Sequence, residues 1–103
     1  MVLEIADITV LPGTSDEFEA AAREGIRYVA DTPGFRTARL SRCIETPGRF
    51  VLTVEWDSVE AHTVGFRESE NFGRWRSHIG PFLDGTPRVE HFDDVALPGP
   101  AGG

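Results

Sequence analysis

Apolar positions along the chain recur first at a spacing of two, then at three to four, and the alternation repeats. Residues 2–11 are rich in Ile and Val and apolar on both faces, with Glu4 and Asp7 interrupting, which predicts a strand. Pro12-Gly13 ends it. Thr14-Ser15-Asp16-Glu17 has the form of a capping box, in which the Thr14 hydroxyl accepts from the Glu17 amide and the Glu17 carboxylate reaches back. Phe18, Ala22, Ile26 and Val29 follow at helical spacing until Asp31-Thr32-Pro33-Gly34 stops the helix. A second, more polar strand spans residues 35–44, and Thr46-Pro47-Gly48 turns it as a hairpin into a third. On that third strand Phe50, Leu52, Val54 and Trp56 share one face, and Val51, Thr53 and Glu55 the other. Helical segments are predicted over residues 58–82, interrupted near Ser69, with Ser58 and Ser69 as caps. Gly85-Thr86-Pro87 leads into a last strand over residues 88–95.

The order βαββαβ is that of a ferredoxin-like α+β sandwich. Helices can cover only one face of its four-stranded sheet. The other face carries Val and Leu beside Thr, Glu and Arg, which is too apolar to be left wet and points to a homodimer. At 103 residues the chain is one domain, 1–96, with a Pro- and Gly-rich flexible tail, 97–103.

Charge narrows the function classes. The net charge is −7, with ten arginines and no lysine, so the concentrated cationic surface that nucleic acid demands is missing. No apolar run is long enough for a membrane span, and Met1-Val2-Leu3-Glu4-Ile5 lacks the basic lead of a signal peptide. A single cysteine, Cys43, precludes an internal disulfide framework and fits a reducing cytoplasm.

The stretch from Phe50 to Ile79 gathers both tryptophans, two of the three histidines and several arginines at a strand–helix junction, where a small α+β domain can open a pocket. Its run Val54-Glu55-Trp56-Asp57-Ser58-Val59-Glu60-Ala61-His62 carries a likeness that extends through Phe66 and Ser69. Pro12-Gly13, Thr32-Pro33-Gly34-Phe35 and Pro87-Arg88-Val89-Glu90-His91-Phe92 complete it. With these motifs in this order, the chain resembles the antibiotic biosynthesis monooxygenases, within the dimeric α+β barrel superfamily, over about residues 2–95. In haem-degrading members an asparagine, a tryptophan and a ligating histidine fall at Ala6, Phe66 and Arg76 of this chain. None matches, so the resemblance disfavours haem degradation. Members that oxidise anthrones and quinols use a strand tryptophan, an asparagine four residues before it, a tyrosine six residues after it and a later arginine. Trp56 and Arg76 match; Leu52 stands for the asparagine and His62 for the tyrosine.

The resemblance thus implies a cofactor-independent monooxygenase acting with dioxygen on a small electron-rich aromatic. His62 would move the proton, Arg76 would hold the anion, and Leu52, Trp56, Phe66 and Trp75 would line the substrate. Residue chemistry alone leaves other roles open. Trp56 and Trp75 also fit core packing, Arg76 a surface ion pair with Glu70 or Asp84, and His62 a helix surface. No Gly-rich phosphate loop is present, so neither nicotinamide nor flavin is indicated. His78 and His91 share no ligand spacing with His62, so no metal is expected. A non-oxidative polyketide cyclase or isomerase, or a non-catalytic ligand-binding dimer, would suit the same fold.

Overall fold

The computed structural model describes residues 1–99. Strands β1 (Val2–Thr9), β2 (Phe35–Arg42), β3 (Arg49–Trp56) and β4 (Arg88–Phe92) form one antiparallel sheet in the order β2-β3-β1-β4. Helix α1 (Ser15–Ala30) joins β1 to β2. A π-helix (Ala61–Phe66), α2 (Glu70–Ile79) and a 3-10 turn (Gly80–Phe82) join β3 to β4. This is the ferredoxin-like α+β sandwich that the pattern predicts. Residues 93–99 form neither helix nor strand, and of the tail expected over 97–103, residues 100–103 lie outside the described residues. Among the described residues no helix is long and apolar enough to cross a membrane.

One core lies between the sheet and the helices. Strict alternation on β3 buries Phe50, Leu52, Val54 and Trp56 and leaves Val51, Thr53 and Glu55 half-buried on the far face. On β1 the buried set is Glu4, Ala6 and Ile8, continued by Val10. Helix α1 contributes Phe18, Ala22 and Val29, and α2 contributes Trp75 and Ile79. The Phe18 ring tilts against Phe50 at 4.7 Å, and each such buried side chain contributes about 1.5–3 kcal/mol relative to exposure. On the open face Leu3, Ile5, Val51 and Phe92 adjoin the paired Arg49 and Asp7, with the guanidinium donating to both carboxylate oxygens at 3.0 and 2.7 Å.

Three local expectations differ. The capping box does not form: Thr14 sits at φ −110°, ψ 10° rather than in the extended region from which a side chain reaches the next turn, and its hydroxyl donates to the Leu11 carbonyl at 2.7 Å. Ser69 occupies the cap position of α2, but its hydroxyl turns back to the Phe66 carbonyl at 2.6 Å. Ser58 does cap, accepting from the Ala61 amide at 3.1 Å. The outer strands end early, β2 at Arg42 and β4 at Phe92, because their pairing partners on β3 and β1 run out.

Gly34, at φ +91°, fixes the entry to the site. A β-carbon there would meet that of Ala61 at 2.6 Å, and its carbonyl accepts from the Asp57 amide at 2.7 Å. The start of β2 is thereby held against the first turn of the π-helix.

Candidate active site

Beneath the second helical stretch lies a cavity of about 300 Å³. The sheet supplies its floor through Glu4, Ala6, Ile8, Leu52 and Val89; His62, Phe66 and Arg67 form one side, and Phe72, Trp75, Arg76 and Ile79 of α2 the other. Five of the six residues singled out in the sequence, His62, Arg76, Leu52, Phe66 and Trp75, therefore share one cavity. Trp56 lies behind its wall, 0 % exposed, stacked under the His62 ring at 5.4 Å and 22°.

His62 owes its place to the π-helix. The wide turn closes through the Arg67 amide donating to the His62 carbonyl at 3.0 Å, five residues back, so that side chains four apart line up. His62 and Phe66 accordingly stack at 6.1 Å and 23°, with Trp56 tilted against Phe66 at 5.8 Å. Phe72 meets Phe66 edge-on at 5.5 Å, which continues the aromatic wall to α2.

Two residues complete a polar cluster that sequence reasoning missed. Glu4 is 6 % exposed, and its Oε1 accepts from the Trp56 indole N–H at 2.9 Å. The same oxygen lies 3.5 Å from His62 Nε2. On the other side of the ring, His62 Nδ1 is 2.8 Å from His91 Nε2. His91 is on β4 directly opposite Glu4 of β1, a register that no spacing in the sequence reveals. For Glu4 a signal did exist: it falls in phase with Ala6 and Ile8, the face that β1 buries.

Burial sets the protonation of the cluster. It pushes the His62 imidazole from 6.5 down to about 4, with the Arg67 cation and then His91 adding to the effect. His91 is lowered by burial and by Arg67. Burial raises the Glu4 carboxyl, against the opposing pull of the Trp56 hydrogen bond and Arg67. At neutral pH both imidazoles are uncharged, and Glu4 holds its proton to higher pH than a free carboxyl does. No group of three or more metal-binding side chains is set to hold an ion among the described residues.

Arg67 stands on the His62 side of the cavity and Arg76 on the other. Arg76 lies over the Phe72 ring at 5.8 Å, and neither arginine has an ion-pair partner among the described residues. The site thus brings a buried acid–base pair, and two guanidinium groups without ion-pair partners among the described residues, to one apolar, aromatic slot.

The profile of the family described as antibiotic biosynthesis monooxygenase matches residues 1–77. The uncharacterised protein YczJ of Bacillus subtilis (strain 168) is 38% identical over 95 residues, 92% of this chain and 100% of its own length. A Bordetella bronchiseptica protein described as a candidate antibiotic biosynthesis monooxygenase superposes with a TM-score of 0.90 at 36% identity, covering 92% of this chain and 97% of the other. SnoaB of Streptomyces nogalater, described as a cofactor-independent oxygenase, superposes with a TM-score of 0.77 at 19% identity, over 93% and 94% of the two chains, a likeness of fold.

Proposed function

Because the chain belongs to the antibiotic biosynthesis monooxygenase family, we propose that it is a cofactor-independent monooxygenase that oxidises an electron-rich aromatic, such as a polyketide anthrone or quinol, and works as a homodimer. The observation that supports this reading is the pairing, in one apolar cavity, of a buried acid–base cluster with unpartnered arginines. An anthrone needs little else. Loss of a proton gives an anion that can pass an electron to dioxygen; recombination at carbon gives a peroxide, and loss of water leaves the quinone. One oxygen atom enters the product and the other leaves as water, with all four electrons drawn from the substrate.

In this scheme Glu4 and His62 act together on the substrate proton. His62 presents one nitrogen to Glu4 and the other to His91, and its lowered pKa makes it a poor resting place for a charge. It is a good conductor to a carboxylate whose own pKa is raised. Arg76 and Arg67 hold the developing anion. Leu52, Phe66 and Trp75 exclude water from the ring, and Trp56 fixes Glu4 and His62 from behind. The acid–base cluster also suits one second reading, a cyclase or isomerase that only moves protons.

Oxygen uptake with 1,8-dihydroxyanthrone, corrected for spontaneous oxidation, separates the two. One dioxygen consumed per quinone formed is expected, and His62→Ala and Arg76→Ala should each lower turnover about tenfold or more with the fold intact. No acceleration above background with either anthrones or hydroquinones would remove the oxygenase reading and leave proton transfer or binding.

A further inference from the structure

His91 has no part in holding a substrate, yet it makes the shortest polar contact in the cluster. It stands on β4, the edge strand of the sheet, and bridges His62 to the outside of the molecule. We propose that Glu4, His62 and His91 form a proton wire between the cavity and the solvent at the β4 edge, in which both imidazoles change tautomer without becoming charged. The wire is a property of the resting chain; only the identity of the proton it carries in turnover rests on the oxygenase reading.

Donor and acceptor counting leads to this arrangement. The Trp56 indole is a donor only, so Glu4 Oε1 accepts from it in every state. With Glu4 ionised, His62 must carry its proton on Nε2, toward the carboxylate. Its Nδ1 then accepts from His91 Nε2–H, and His91 Nδ1 is bare. With Glu4 protonated, the carboxyl O–H points at His62 Nε2, the His62 proton is on Nδ1 facing His91 Nε2, and the His91 proton is on Nδ1. The two states differ by one proton. It enters at His91 Nδ1 from water; His91 Nε2–H breaks as His62 Nδ1–H forms, and His62 Nε2–H breaks as the Glu4 O–H forms. Release follows the same path in reverse.

Three further features fit a wire better than a merely satisfied buried pair. Both its ends are open. His91 is half-buried on an edge strand, and Glu4 lines the cavity with Oε2 unpartnered among the described residues, while no fully buried side-chain oxygen or nitrogen there lacks a partner. The rings are held in place, His62 packed against both Trp56 and Phe66, so that hops need no reorientation. Burial, with the Arg67 cation beside them, keeps the imidazoles neutral; Arg76 lies across the cavity, and on β4 Glu90 faces away and pairs with Arg88 at 3.3 Å. The one long link is the 3.5 Å from Glu4 to His62, a gap of the kind that tightens when a ligand fills the site.

The test uses the full chain without substrate. Nitrogen-15 NMR of labelled histidines, followed from about pH 5 to about pH 8, the range in which a free imidazole gains its charge, reads tautomer and charge separately. The expected result is that His62 and His91 move together from the Nε2–H to the Nδ1–H form at one midpoint as pH falls, both remaining neutral through it. In Glu4→Gln that shared transition should vanish. Titration of His91 to an imidazolium while the His62 tautomer stays fixed overturns the wire, as do two unrelated midpoints. A kinetic arm uses His91→Gln, which keeps a donor and an acceptor but cannot relay. With 1,8-dihydroxyanthrone its kcat should fall about tenfold at unchanged KM, and imidazole added to His91→Ala should restore part of the rate. If the wild-type chain oxidises the anthrone and His91→Gln does so equally well, the wire is overturned. If the wild-type chain is inactive while the coupled tautomer switch is seen, the oxygenase reading fails and the wire stands.

Discussion

Glu4 illustrates how much a single residue in phase can decide. A carboxylate among buried apolar side chains carries a desolvation cost of several kcal/mol unless it is neutralised or hydrogen-bonded. Here the Trp56 N–H and His62 offset that cost. The two shifted groups oppose each other in their effect on stability. Between pH 6.5 and about 4 the unfolded chain binds a proton at His62 that the folded chain refuses, so this contribution is lost as pH falls. Above 4.5 the folded chain retains a proton on Glu4 that the unfolded chain has released, so that contribution is lost as pH rises. Where the windows overlap the slopes cancel in part. Glu4→Gln should uncover the His62 slope: urea unfolding measured at a series of pH values should show stability rising from about pH 4 to 6.5, by up to about 3 kcal/mol. A flat profile in that variant would mean that His62 is not held neutral by the fold. His62 and Arg76 were legible in the sequence because they stand where a known pattern puts functional groups. In the sequence Glu4 only interrupts the apolar run of β1, and His91 shares no spacing with His62. Which face of β1 is buried and how β4 registers against it are decided by long-range pairing, and local spacing carries neither.

Whole elements were more legible. The period-two pattern of β3 gave its buried face residue by residue, and the helical spacing of Phe18, Ala22 and Val29 gave the inner face of α1. Hydroxyl placement at helix starts was not legible, since Thr14 chooses a preceding carbonyl by a backbone angle that composition does not set, and Ser69 does so from an extended backbone that would also have allowed a cap. The approach of the two helices was equally hidden. α1 meets α2 at Gly25, where a β-carbon would come 3.0 Å from the His78 β-carbon and 3.1 Å from Trp75 Cε3. Contact with a β-carbon cannot be relieved by a rotamer change, so Gly25→Ala should push α2 outward and displace the Trp75 wall of the cavity. Overpacking of this kind costs about 1–3 kcal/mol, against about 1 kcal/mol gained in helix propensity. A lowered urea midpoint with altered tryptophan fluorescence is the expected outcome; a variant more stable than the parent would show that the helices have slack at this crossing.

At the scale of the molecule, the open sheet face is what a lone chain leaves unresolved. Leu3, Ile5, Val51 and Phe92 gather there beside Thr53 and Glu55, on the side of the sheet opposite the cavity. A second copy packed on this face would remove them from water at about 25 cal/mol per Å² of apolar surface without touching the site. Sedimentation at micromolar concentration should therefore give twice the chain mass, and Ile5→Asp should yield a folded monomer by circular dichroism. A wild-type monomer at that concentration would remove the homodimer from the proposed function. The sandwich itself was legible because element order and turn residues suffice for it. The open face was legible only as a surplus of apolar residues with no helix to cover them.

The π-helix makes the site a matter of counting. Its turn holds one residue more than the α-turn that could replace it, and that surplus is what points His62 at Glu4. A chain shorter by one residue between Glu60 and Phe66 could close as an ordinary helix and carry His62 about 100° around the axis, with no core residue exchanged. In descent, such a site can be gained or silenced by a single codon's insertion or loss, and two chains aligned without gaps in this stretch share more than their substitutions reveal.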